Sequence, residues 1–460
     1  MERLLKTSLM KKLAPCLAGT DYDLLPVRGQ DYGLCGPEAN FSRTDARDPR
    51  QISLSMGSVG GSLSEDGSSF PLLAASKLGN FEAVARLLES GAAVGQTSPL
   101  TGRFPLQEAI AHGHERVVAQ LLKHGADPRQ QNEQTGEFPL VAAATGGHLA
   151  MVSLLLDANA DPNAVARITC ATPVMAAAVS GHTEVVRLLL RRGADPNHAV
   201  TGDLTLLMLA SAQGHVDTVQ ALLEHKADVL RVDFNEVSAL HLAAESGCGE
   251  LVKVLLRAGG RPCDMQESGD FPLLQAARAG HAEVLQVLLS GGADANQIHQ
   301  LTGEVPLVEA VEGGHLQAVA ALLRGGAEPR TTHEEMGNFP LLAAARLGDM
   351  VAVELLLRAG AKAGQTSRFS GDCPLLAAAG GGHVEVARML LQRGANPRSL
   401  SRQGLRPADV AQAAGHAALA KELQQAEGGE RNQLPSLFAA GPLPKKVAFV
   451  QTIQQTILQL

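Results

Sequence analysis

A chain of 460 residues with 3% aromatic residues, no tryptophan and a formal net charge of −8 does not fit one large globular core, because big cores rely on large rings. The negative balance argues against a nucleic-acid binder, which needs a basic stripe to displace counterions from phosphates. No apolar run reaches the ~20 residues a membrane-spanning helix needs, and the six cysteines lie scattered without metal-ligand spacing, as in a reducing compartment.

At the N-terminus, Leu5, Leu9 and Leu13 stand at helical spacing among Arg3, Lys6, Lys11 and Lys12. Without a secretory apolar segment, this stretch predicts a short helix or a frayed end, with a transit peptide or surface-binding helix as the alternative. Residues 1–68 as a whole predict a flexible tail, rich in Gly, Ser, Asp and Arg and without lasting apolar periodicity. Both tyrosines of the chain fall there, as Asp21-Tyr22 and Asp31-Tyr32. A tyrosine following an acid in a flexible segment suits phosphorylation or docking as a short linear motif.

From Phe70 the chain becomes periodic. Proline recurs at 71, 105, 139, 173, 272, 306, 340, 374 and 407, usually before leucine and often after phenylalanine. Leu206 and Ala239 divide the one long gap into 33-residue steps, and the other steps are 33 or 34. These eleven openings define repeats 1 to 11, and a period in this range implies a stacked array of one supersecondary unit. In repeat 1, Pro71 suits the first turn of a helix, which Gly79 ends. A second helix from about Phe81 puts Val84, Leu87 and Leu88 on one face, and Gly91-Ala92 ends it. An extended stretch then turns at Thr101-Gly102. The same finger follows Gly125-Ala126-Asp127 with a tip at Thr135-Gly136, Gly193-Ala194-Asp195 with a tip at Thr201-Gly202, and Gly292-Ala293-Asp294 with a tip at Thr302-Gly303.

These residues resemble the ankyrin repeat family, whose pattern is T-P-L-H-x-A, then G-H, then G-A-D-x-N. The resemblance covers residues 69–426. It implies an all-α solenoid of stacked helix-turn-helix units with short β-hairpin fingers. Eight of the fifteen histidines sit in one Gly-His slot, at 114, 148, 182, 215, 281, 315, 383 and 416. In the family such a ring bridges the backbones of adjacent loops, so a structural role is expected for them rather than metal binding or catalysis. Thr172-Pro173 keeps half of the T-P-L-H opening and Ser238-Ala239-Leu240-His241 the other half. The Phe-Pro-Leu openings lack both hydrogen-bonding residues, and burial of the ring is expected to replace that bond. The extra residue of the 34-residue units falls in the finger.

The family template places the variable positions of each first helix on the concave side of the array. Lys77, Glu108, His112, Glu245, Gln275, Arg278, Glu309, Glu312 and Arg346 fall there, among many small residues. Glu108, Gln275, Arg278, Glu309, Glu312 and Arg346 are the candidate partner contacts. The densest group spans repeats 7 to 9, where Arg278 and Arg346 flank Glu309 and Glu312. Two readings stand: the opposite charges pair with one another, or they bind a partner.

Beyond the array, residues 427–444 read as a linker containing Gly441-Pro442 and Pro444. In residues 445–460, Val450, Ile453, Ile457 and Leu460 form one helical stripe. Such a stripe is expected to dock on the last repeat as a cap or to bind a partner. Leu443-Pro444 is similar to part of the SOCS-box of ankyrin proteins that recruit ubiquitin ligases, but the upstream Leu-Cys-Arg element is absent. The phosphate loop, the H-E-x-x-H zinc helix and the G-x-S-x-G elbow are also absent, so no enzyme, cofactor or metal is expected. The expected function is a monomeric, cytosolic or nuclear scaffold or adaptor that binds protein partners without nucleic acid. The alternative is a targeting or regulatory subunit of an enzyme complex, such as a ubiquitin-ligase substrate adaptor.

Overall fold

The computed structural model describes residues 70–99, 101–200, 203–332 and 337–428. Tyr22, Tyr32, the 201–202 fingertip and the helix expected at 445–460 lie outside the described residues. The chain divides into two compact units, one ending at Pro173 and the other beginning at Val174.

In the first unit, each repeat supplies two antiparallel helices: α1 (Pro71–Lys77) and α2 (Phe81–Glu89), α3 (Pro105–Ala111) and α4 (Glu115–Lys123), α5 (Pro139–Thr145) and α6 (Leu149–Asp157). The first helices α1, α3 and α5 pack in one row, and the second helices α2, α4 and α6 in another. Val84, Val118, Leu121, Val152 and Leu155 are fully buried between the rows, together with alanines that let the thin helices approach closely.

The second unit continues the plan with α7 (Pro173–Val179), α8 (Thr183–Arg191), α9 (Leu206–Ala212), α10 (Val216–Glu224), α11 (Ala239–Ser246) and α12 (Gly249–Arg257). There follow α13 (Pro272–Ala279), α14 (Ala282–Ser290), α15 (Pro306–Glu312), α16 (Leu316–Arg324), α17 (Pro340–Leu347) and α18 (Met350–Arg358). The last two repeats give α19 (Pro374–Gly381), α20 (Val384–Gln392), α21 (Pro407–Ala413) and α22 (Ala417–Gly428). First helices from α9 to α21 again pack in one row and second helices from α8 to α20 in another. The outer positions of α22 are Lys421, Gln424 and Gln425, so its solvent face is polar.

The openings behave as their residue types require. Phe104, Phe271 and Phe339 are buried to within 1% of complete, directly before the proline that starts the helix, and none caps it by a side-chain hydrogen bond. Where the family residues remain, hydrogen bonds take over. Thr205 Oγ1 accepts from the Met208 N–H at 3.3 Å, and the Ser238 N–H donates to His241 Nδ1 at 3.2 Å. Burial and capping are thus alternative solutions for one position.

In repeats 1 to 10 the second helix is followed by a residue with positive φ, a conformation that costs a residue bearing a Cβ. Glycine fills it in eight of these repeats, for example Gly193 at φ 92, but repeat 3 has Asn159 at φ 67 and repeat 5 has Lys226 at φ 66. Lys226→Gly is therefore expected to stabilise the protein by about 1 kcal/mol, an effect that a shift in the urea midpoint would reveal. An unchanged or lower midpoint would show that the lysine carries no strain.

The fingers are closed loops more than strands. Among the described residues, one regular hairpin pairs β1 (Ala199–Val200) with β2 (Leu204–Thr205), and one isolated bridge joins Val232 to Ser238. In the described fingers other than the β1–β2 hairpin, a root residue closes the loop. In 34-residue repeats its N–H donates to the carbonyl five residues on, as Asn132 to Glu137 (2.9 Å) and His299 to Glu304 (3.0 Å). In 33-residue repeats it reaches four residues on, as Asp233 to Val237 (3.0 Å) and Gln266 to Asp270 (2.8 Å). The extra residue therefore lies inside the finger loop, as the spacing predicts.

Candidate partner-binding surface

The Gly-His histidines tie repeat to repeat through one carbonyl. Nε2 of His114, His215, His281, His315 and His383 lies 3.0–3.2 Å from the backbone oxygen of Lys77, Val179, Glu245, Arg278 and Arg346, respectively. Every one of these acceptors is the sixth residue after the opening position, at the end of the preceding repeat's first helix. Its backbone is fixed by the next repeat, whereas its side chain stands at the surface. That slot reads Lys77, Ala111, Thr145, Val179, Ala212, Glu245, Arg278, Glu312, Arg346, Gly380 and Ala413. It alternates in charge through repeats 6 to 9.

The structure brings most of the candidate residues together. Arg278 donates to Asp270 Oδ1 at 2.6 Å and to Glu304, and its Nε lies 3.7 Å from Glu309. Asp270 and Glu304 stand at the bases of successive fingers, and Glu309 is on the next first helix. The buried His299 ring accepts at Nδ1 from the Leu301 and Thr302 N–H groups (3.3 and 3.1 Å), leaving Nε2 3.6 Å from Asp270. Burial, and then the charge of Asp270, hold the Glu245 carboxyl above its ordinary range. Glu312 accepts from the Asn338 amide, whose Oδ1 receives Arg346 Nη2 at 3.4 Å. Gln275 lies on α13 one turn before Arg278, and its buried Oε1 lacks a hydrogen-bond partner. Carboxylates outnumber the arginine around Arg278, so repeats 6 to 8 present an acidic surface even after the charges have paired.

Glu108 is placed differently. It is 5% exposed, held by Arg103 at 3.2 Å and flanked by His112 at 3.5 Å, so it serves the base of the finger that precedes its helix rather than an exposed face. Arg103 precedes Phe104, and the buried ring carries the arginine toward the helix. The root residues Asn132, Asp233, His299 and Ser367 were not among the sequence candidates. Each is buried, and its side chain accepts N–H groups of its own finger. Their signal is positional, since each stands 27 residues after its opening position.

Further along the same row, a groove of about 750 Å³ opens over α17, α19 and α21 and the fingers before α19 and α21. Leu342, Leu376, Leu405 and Val410 form its walls, and Arg346, Asp372 and Arg402 its polar rim.

A stack of helix pairs joined by fingers and latched by Gly-His rings defines a class of protein, and comparison with known families gives its name. The family described as Ankyrin repeats (3 copies) matches six overlapping stretches, residues 72–166, 124–200, 174–267, 240–333, 273–366 and 341–433. The chain belongs to the ankyrin repeat family. Among solved structures it is similar to the human ASB11 ankyrin repeat domain, at 28% identity and a TM-score of 0.44, over 49% of this chain and 98% of that one. No curated protein matches it. Among the described residues, no helix is long and apolar enough to cross a membrane.

Proposed function

We propose that the chain is a protein–protein interaction scaffold or adaptor whose working surface is the row of first-helix ends and finger bases. The observation that supports this reading is the sixth-residue slot. In five repeats its carbonyl does the same structural work, yet its side chain changes from lysine to valine, glutamate and arginine. A position held in the backbone and varied in the side chain suits recognition, because the surface is ordered before the partner arrives and little entropy is lost on binding. The carboxylate excess around Arg278 favours a basic partner segment over repeats 6 to 8.

Charge reversal tests this directly. Glu312→Lys with Glu309→Lys is expected to weaken a bound partner about tenfold or more, with urea unfolding measured in parallel because Glu309 also contacts Arg278. Equal affinity in a correctly folded variant would remove repeats 7 to 9 from the site. The adaptor alternative, in which the tails hold a catalytic partner, predicts that removing residues 1–66 or 428–460 abolishes recruitment while target binding by the array survives.

A further inference from the structure

We infer that the groove over repeats 9 to 11 receives a carboxylate side chain of a partner protein, flanked by aliphatic side chains; the inference rests on the scaffold reading and names the partner's chemistry at one place. The array contains its own filled version of this site. Two 34-residue steps, 68 residues, carry Arg278 onto Arg346, Asp270 onto Asn338, Glu304 onto Asp372, Glu309 onto Ala377 and Glu312 onto Gly380. Around Arg278 three carboxylates are in place: Asp270 at 2.6 Å, Glu304, and Glu309 at 3.7 Å. Around Arg346 the finger base is a neutral asparagine, and both carboxylates of α15 have become the small residues Ala377 and Gly380 of α19.

Arg346 thus keeps a single contact, to Asn338 Oδ1 at 3.4 Å, and among the described residues no carboxylate lies within ion-pair distance of it. Asp372, the remaining acid, stands on the groove rim without reaching it. Arg402, on the next finger, donates to the Phe369 carbonyl at 2.8 Å and brings a second positive charge to the rim. Two arginines against one aspartate leave the groove cationic where repeats 7 and 8 are anionic. Sterics do not require the vacancy, since a Cβ added at Gly380 would meet only Val410 Cγ1, at an ordinary 3.5 Å. Leu342, Leu376, Leu405 and Val410 supply apolar walls on either side of the missing carboxylate. An acidic side chain between aliphatic ones therefore fits both the charge and the lining.

The test uses the full chain and a phage-displayed library of random peptides as the probe. Selected peptides are expected to carry Asp or Glu flanked by Leu, Ile, Val or Met. A synthetic peptide of that pattern should lose about tenfold in affinity with Arg346→Ala. Ala377→Glu, which restores the internal carboxylate, should lose about tenfold more affinity than the similarly sized Ala377→Gln. Circular dichroism must show all three variants folded. Basic peptides in the groove, or acidic peptides indifferent to both positions, would overturn the inference. Peptides that instead map to other first-helix ends would also overturn it while leaving the scaffold reading intact. Failure of the array to bind any peptide would overturn both.

Discussion

Phe271→Ala is expected to lower the unfolding free energy by about 3–5 kcal/mol, the cost of a cavity where a large ring was fully enclosed. Phe271 opens repeat 7 and has no exposed surface, so the neighbouring helices can collapse only partly into the space left behind. Equilibrium urea unfolding would measure the loss. Phe70→Ala should cost less, because that ring is only half-buried. The companion substitution is more informative. Phe271→Thr puts the family residue back, but Leu274 now stands where repeat 6 has His241, so the threonine gains no imidazole partner. Adding Leu274→His is expected to recover about 1–2 kcal/mol beyond the sum of the single changes. Strict additivity would show that burial and hydrogen bonding are not alternative solutions at this position.

The second large effect is on pH dependence. His241 is buried, its Nδ1 accepts from the Ser238 N–H at 3.2 Å, and its Nε2 faces the Asp264 carbonyl at 3.0 Å. Both ring nitrogens are satisfied in the neutral form. Burial is the largest influence and drives the ring down from 6.5 to about 4, against weaker upward pulls from the Asp264 carbonyl and the charges of Asp270 and Asp233. A depressed histidine binds its proton more readily when unfolded, so its contribution to stability is intact above pH 6.5 and is lost as pH falls toward 4. Integrated over that window the loss is about 3 kcal/mol, of which about 2 kcal/mol has gone by pH 5. Urea unfolding at pH 7 and pH 5 should show that excess loss in the native chain relative to His241→Gln. Equal slopes in the two proteins would mean that His241 titrates normally.

How much of this was legible depends on how far apart in sequence the interacting groups lie. Helix starts at proline, helix ends at glycine and the location of the extra finger residue are local facts, and the chain states them directly. The Phe-for-Thr exchange was also legible, because one ring volume at Phe271 or Phe339 has no surface position that suits it. Charge register was not. Arg278 finds Glu304 26 residues away, on the base of the next finger, and helical spacing within α13 carries no hint of that contact. Glu108 falls in a first-helix slot that the template treats as exposed, yet Arg103 draws it inward. The root residues were hidden by their variety, since Asn132, Asp233, His299 and Ser367 share an acceptor atom rather than a side chain.

The claim that most needs testing is that recognition resides in the ordered row of first-helix ends and fingers. Crosslinking mass spectrometry of the full chain bound to its captured partners is the direct measurement. Crosslinks concentrated on first-helix ends and finger loops, and preserved when residues 1–66 or 428–460 are removed, are the predicted result. Crosslinks confined to those two tails, or to the outer faces of the second helices, would contradict it.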